Sequence, residues 1–220
     1  MIETFLNFCG RPHQRFVCTA AGDGTGPQFT ASIEHRLGPP AGEKAIATLH
    51  KRLGNLAPQF EPLFRALNGA VLYADTLSES AGVSIAAMED WEALTKEWKA
   101  WHEGRQYYDP DVEDEDFDSD DDEMPLPAWM KNAVAIGEAP QSGNYFVLAL
   151  DGDERGNIYY CDHETLDPEY FASSVNEFLG RLILCDPPRM LLHLGCFARY
   201  ADGKTDHQWI PEQYLAGNAA

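Results

Sequence analysis

Two hydrophobic periods alternate along this chain, and the switches between them mark out its elements. Residues 15–20 (RFVCTA) and 28–37 (QFTASIEHRL) carry aromatic and β-branched side chains at strand-like spacing. With the turn-forming AGDGTGP between them, they predict an antiparallel hairpin. Gly22, Gly24 and Gly26 do not make a phosphate loop, because the residues after them alternate like a strand instead of opening a helix. The period then lengthens. Ala45, Ile46, Leu49 and Leu53 predict a short amphipathic helix stopped by Gly54. Phe60, Leu63, Phe64 and Leu67 predict another, with Pro58 in its first turn and Asn68 and Gly69 at its end. Short strands follow at 71–73 and 83–85. The longest helical pattern, 86–104, sets Trp91, Leu94, Trp98 and Trp101 on one face. An aromatic stripe at that spacing is expected to pack a core rather than to stack on a ligand.

The second half repeats the alternation. A strand at 132–137 (NAVAIG) is followed by apolar strands at 145–150 and 157–161 on either side of DGDERG. Gly152 and Gly156 supply the left-handed positions that a tight connection requires, so this pair is a β-hairpin. Phe171, Val175, Phe178, Leu179 and Leu182 predict a helix starting near Asp167 and Pro168. Residues 190–215 read as a further hairpin turning at Asp202 and Gly203.

Charge changes this picture at one place. Between residues 109 and 123 stand eleven Asp and Glu with no Lys or Arg. Such a run lacks the apolar side chains that would offset its ordering entropy, and it offers no partner for a buried carboxylate, so a solvated insertion is expected. The whole chain sets 16 Lys and Arg against 36 Asp and Glu, for a net charge of -20. Direct binding of nucleic acid or of an anionic membrane is excluded by repulsion, whereas a basic partner is favoured. With 44% hydrophobic residues, 220 residues suffice for one well-packed core. The expected layout is a single α+β domain, a largely antiparallel sheet with helices packed against it. An N-terminal hairpin extension (1–42) precedes a core (43–184) that carries the acidic insertion at about 105–127, and a C-terminal hairpin (185–220) packs on the same domain. Glu3 stands where a secretory leader would be basic, and no apolar stretch reaches spanning length, so a cytoplasmic protein is expected.

Candidate chemistry is sparse. A calcium loop begun at Asp114 or Asp116 lacks Gly at its sixth position and Glu at its twelfth, and in DGDERG Arg155 occupies a ligand position. The five cysteines, Cys9, Cys18, Cys161, Cys185 and Cys196, form no CxxC pair, and they read as thiols on apolar faces. Cys161 and His163 are the one catalytic or zinc-like pair, yet no third member or matching ligand spacing accompanies them. No nucleophile elbow, phosphate loop or zinc-protease signature occurs. Neither an enzyme, nor a cofactor, nor a bound metal is expected.

One resemblance organises these readings. LAPQFEPLFRALNG, through Phe60, Leu63, Phe64, Leu67, Asn68 and Gly69, resembles the opening helix of the SUKH superfamily of fungal cell-wall assembly regulators and bacterial immunity proteins. AIGEAPQSGNYFVLALDGDERGNIYYCDHE is similar to that family's central strands, with Gly143, Asn144, Asp151, Gly156, Asp162 and His163 at the matching points. FASSVNEFLGRLI is similar to the helix after them. The resemblance covers about 43–184 and implies a non-catalytic, protein-binding α+β domain. In bacterial members it further implies neutralisation of a toxin, often a nuclease or deaminase. The expected partner is then a basic toxin domain, met by Asp114, Glu115, Asp116, Asp118, Asp120, Asp121, Asp122 and Glu123 and continued by Asp151, Asp153 and Glu154. The alternatives are an intracellular scaffold or regulatory protein and, last, a thiol- or metal-dependent enzyme using Cys161 and His163.

The composition of the run yields a first prediction. Replacing residues 109–123 by a short Gly/Ser bridge removes like charges and only two large apolar side chains, Val112 and Phe117. Cooperative thermal unfolding is therefore expected to persist, with an unchanged or higher midpoint. Loss of the cooperative transition in the deletion would show that the run is part of the fold.

Overall fold

The computed structural model describes residues 1–10, 14–20, 29–75, 83–103, 127–139, 143–163, 168–184, 197–199 and 206–211. The acidic run 109–123 and the turn at Asp202 and Gly203 lie outside the described residues. Five helices are described: α1 (Ile2–Cys9), α2 (Glu43–Leu53), α3 (Ala57–Ala66), α4 (Trp91–Glu103) and α5 (Val175–Leu184). The strands are β1 (Gln14–Ala20), β2 (Phe29–Leu37), β3 (Ala70–Asp75), β4 (Val83–Ile85), β5 (Ala133–Ala139), β6 (Asn144–Ala149), β7 (Ile158–Cys161), β8 (Glu169–Ala172), β9 (Phe197–Arg199) and β10 (Asp206–Pro211). None of the described helices is long and apolar enough to cross a membrane.

All ten strands join one sheet in the order β8-β7-β6-β5-β4-β3-β2-β1-β10-β9, each neighbouring pair antiparallel. The first eight follow as a meander. The last hairpin adds to the outer edge of the first, with Phe16 opposite Pro211 and Ala20 opposite His207.

Successive residues of a strand face opposite sides of a sheet, so the two faces can be read from the core clusters. Val134, Ile136, Phe146, Leu148, Ile158 and Tyr160 pack under α1, α2, α3 and α5 in the main core. Ala133, Ala135, Tyr145, Val147, Ala149, Tyr159 and Cys161 face the other way, beneath Trp98 of α4 and Met130. β6 is buried along its whole length in consequence.

Three details depart from the sequence-based expectations. Ile2, Phe5, Leu6 and Cys9 make α1, with Phe5 fully buried, so a helix precedes the first hairpin. Residues 169–172 are strand β8, not the start of a helix, because a capping box sets the start of α5 later. The Glu177 amide donates to Ser174 Oγ at 3.2 Å, and Glu177 Oε2 accepts from the Ser173 amide at 2.9 Å. The tryptophan stripe serves two cores and a surface. Trp91 meets Phe64 edge-on in the main core, Trp98 lies in the second, and Trp101 is 43% exposed.

Two long-range polar links fix the layers. At the β2–β3 irregularity between Glu34 and Arg36, Tyr73 takes φ 57°. Its amide donates to His35 Nδ1 at 3.2 Å, and its hydroxyl donates to the Leu182 carbonyl at 2.6 Å. The second link is Arg155, in the β6–β7 turn. Its guanidinium donates to Asn55 Oδ1 at 2.6 and 3.1 Å, to the Leu53 carbonyl at the C-terminus of α2 at 3.2 Å, and to the Leu150 carbonyl. Gly156 (φ 94°) follows, and a Cβ there would meet Leu56 at 3.3 Å while forcing a side chain into a left-handed backbone.

Both links make predictions. Burial pushes the His35 imidazole down to about 4, and Nδ1 must stay unprotonated to accept from Tyr73. The unfolded chain binds this proton near pH 6.5 and the folded chain only near 4, so stability is lost as the pH drops through that window, by roughly 1 to 3 kcal/mol in all. His35→Asn keeps an acceptor and removes the titration, and urea unfolding at several pH values should show a shallower acid limb. An identical slope in the variant would refute the role of His35. Arg155→Ala should lower unfolding stability by ~1 to 2 kcal/mol. Arg155→Lys should recover little, since an ammonium cannot reproduce the planar fork. A wild-type urea midpoint for Arg155→Lys would refute the clamp.

Candidate functional site

The face of the sheet under α4 gathers most of the residues that carry chemistry. Thr95 Oγ1 accepts from the Ala135 amide at 3.0 Å, and Lys99 Nζ donates to the Lys131 carbonyl at 2.9 Å. These contacts hang α4 on β5 and on the 3₁₀ turn Ala128–Asn132. The two ends of the acidic insertion, α4 before it and Pro127 after it, are thereby anchored on this face.

Asp151, Asp153 and Glu154 lie in the β6–β7 turn. Asp151 and Asp153 are exposed, and Asp151 Oδ1 accepts from the Gly152 amide at 2.8 Å. Glu154 is occupied internally: it accepts from the Tyr159 hydroxyl and from Asn157 Nδ2 at 2.7 Å, and these bonds hold its carboxyl below the usual range. The base of the turn touches the segment that re-enters after the insertion, where the Leu150 amide donates to the Asn132 carbonyl at 3.0 Å. Asp114, Glu115, Asp116, Asp118, Asp120, Asp121, Asp122 and Glu123 lie outside the described residues.

Cys161 and His163 do not form a reactive pair. Cys161 is fully buried, and burial raises its thiol to about 12, which leaves almost no thiolate at neutral pH. His163 is half-buried, with Nδ1 at 2.6 Å from Asn144 Oδ1 and its ring 5.8 Å from that of Trp101. Its backbone amide donates to the same Asn144 oxygen at 3.0 Å, and Asn144 Nδ2 donates to Tyr160 at 2.6 Å. The histidine thus pins the end of β7 to β6. Among the described residues no three His, Cys, Asp or Glu side chains are grouped to hold a metal ion.

Sequence reasoning missed a second feature of this face. Strand register places Arg36, Val71, Ser84, Glu138, Tyr145 and Cys161 side by side across six strands. Under α4 the row is buried. Toward β2 it opens into a cleft of about 520 Å³, walled by Asp90 and Leu94 and floored by Val71, Ser84 and Glu138. The close approach of β4 and β5 there needs Gly137, where a Cβ would lie 2.3 Å from the Ser84 carbonyl oxygen. Burial raises the Glu138 carboxyl above its usual range, the Glu97 carboxylate adds to this, and a hydrogen bond from Ser84 opposes it. The Tyr145 phenol is raised by burial and by the same two glutamates. Arg36 is held by Glu34 at 2.5 Å. The available signal was one carboxylate inside the apolar run AVAIGEA.

No curated protein and no solved structure matches this chain. Residues 40–181 match the SMI1 / KNR4 family (SUKH-1), a span that holds α2 through most of α5, the β6–β7 turn and Glu138. The chain belongs to the SMI1 / KNR4 family (SUKH-1).

Proposed function

We propose that this chain is a non-enzymatic, cytoplasmic immunity protein of a bacterium, which neutralises a basic, nuclease-like toxin through an acidic surface. Family membership supports a protein-interaction or immunity-type role in general. The observation that carries the finer reading is the exposed acidic turn. Asp151 and Asp153 are exposed on a turn whose base is bonded to the segment through which the acidic run returns to the sheet. The turn therefore lies beside the segment that follows the run in the chain, in a protein of net charge -20.

The physical logic is electrostatic. A nuclease is basic where it grips the phosphate backbone, so a carboxylate-rich surface competes for that site, and opposite fields raise encounter rates by ~10 to 10³. Exposed carboxylates desolvate little, so they act on association, while buried contacts decide how long the complex lasts. The buried Cys161 thiol supports a non-catalytic reading.

Stopped-flow or surface-based kinetics against the toxin encoded by the adjacent gene test the proposal. Changing Asp114, Asp116, Asp118, Asp120 and Asp122 together to Asn should lower the on-rate at least ~10-fold at low salt, with the off-rate nearly unchanged. Raising salt until the Debye length is about 8 Å should reproduce much of that loss in the unaltered protein. An on-rate indifferent to both would overturn recognition through the acidic surface.

A further inference from the structure

The cleft beside α4 is distinct from the β6–β7 turn and outside the acidic run, and its chemistry is more specific than a diffuse negative field. Its lining is mainly apolar, with Val71 and Leu94 among it, and its floor carries one half-buried carboxylate, Glu138. We propose that this cleft is the subsite that receives a basic side chain, arginine above all, from the protein partner, with Glu138 as its charge partner and Ser84 beside it. The proposal rests on the protein-binding reading above and assigns its anchor point.

Charge complementarity selects the occupant. The charged groups about the cleft are Asp90, just before α4, and Arg36 of β2, with Glu97 of α4 acting on Glu138, while Ser84 of β4 and Tyr145 of β6 flank Glu138 in the strand register. Arg36 is engaged by Glu34, so its charge is locally matched and the cleft remains net negative. A carboxylate or phosphate ligand would be repelled there. A guanidinium suits the site on both counts: its weakly hydrated stem and planar face pack on Val71 and Leu94, and its fork matches a carboxylate with a hydroxyl beside it. The volume, about 520 Å³, also leaves room for the residues flanking that arginine.

The occupant would relieve an existing cost. Glu138 is disfavoured as an anion by burial and by Glu97, and the attraction of a cation at hydrogen-bonding distance opposes both effects. Binding should therefore expel a proton when Glu138 starts out protonated. Affinity should rise with pH through the raised carboxyl range and level off above it, since the cation binds the ionised form.

The test uses the full chain and Nα-acetyl-arginine methylamide, whose charge is constant across the range, with the citrulline counterpart as its neutral isostere. Amide NMR titrations should show saturable, millimolar-range shifts at Val71, Ser84 and Leu94. These should be tighter near pH 8 than near pH 5 and absent with citrulline. Glu138→Gln, which keeps the shape and removes repulsion from Glu97, should weaken binding ~10-fold or more. Asp90→Asn, an exposed change that leaves the core untouched, should weaken it about 2-fold and serves if Glu138→Gln unfolds. Equal shifts with citrulline, wild-type affinity in both variants, or no shifts at those amides would overturn the subsite. None of these outcomes involves the toxin: a toxin complex that forms normally while the probe fails would refute the cleft alone. A probe that binds while no toxin complex forms would refute the immunity reading alone.

Discussion

Burial of β6 on both faces is the constraint from which the rest of this structure follows. Asn144–Ala149 are all buried, so neither side of that strand can face water. An antiparallel sheet can satisfy itself with one covered face, but this one requires two. The main core supplies the first cover through α1, α2, α3 and α5, and the second comes from α4 with Met130 and Trp129. Phe146 and Leu148 pack one way while Tyr145 and Val147 pack the other, each fully buried side chain contributing roughly 1.5 to 3 kcal/mol. In the chain, α4 is the last described element before the acidic run.

Covering both faces leaves polar atoms at the margins, and there the fold spends its side-chain hydrogen bonds. Asn144 holds His163 and Tyr160 at one end of β6, while Arg155 ties the other end to the close of α2. The turn that carries the exposed Asp151 and Asp153 is consequently set on the helical layer. A surface that meets a partner benefits from such fixing, because little ordering entropy remains to be lost on binding.

The same face divides into two electrostatic regimes. Asp151 and Asp153 on the turn are exposed, whereas Glu138 sits half-buried beside a cleft. Solvated carboxylates steer encounter, and a partly desolvated one discriminates among occupants. Cys161 lies at the far end of the same cross-strand row, where α4 closes over it and burial keeps it a neutral thiol.

The sequence by itself determined the elements whose signals are local. Apolar spacing located α2 and α3, Gly152 and Gly156 marked the β6–β7 hairpin, and the motifs from Phe60 to His163 carried the family. It also held signals that went unread: Ile2, Phe5, Leu6 and Cys9 encode α1, and the Ser174 and Glu177 capping box starts α5 after Phe171. Tertiary structure alone decided which strands meet. The pairing of β1 with β10 joins residues nearly a whole chain apart. The row from Arg36 through Val71, Ser84, Glu138 and Tyr145 to Cys161 is a product of register across six strands. Periodicity reports that a strand has two faces but not what lies beside or above each one. The split of Trp91 and Trp98 between two cores, and the placing of one glutamate at the floor of a cleft, were therefore fixed only when distant segments packed.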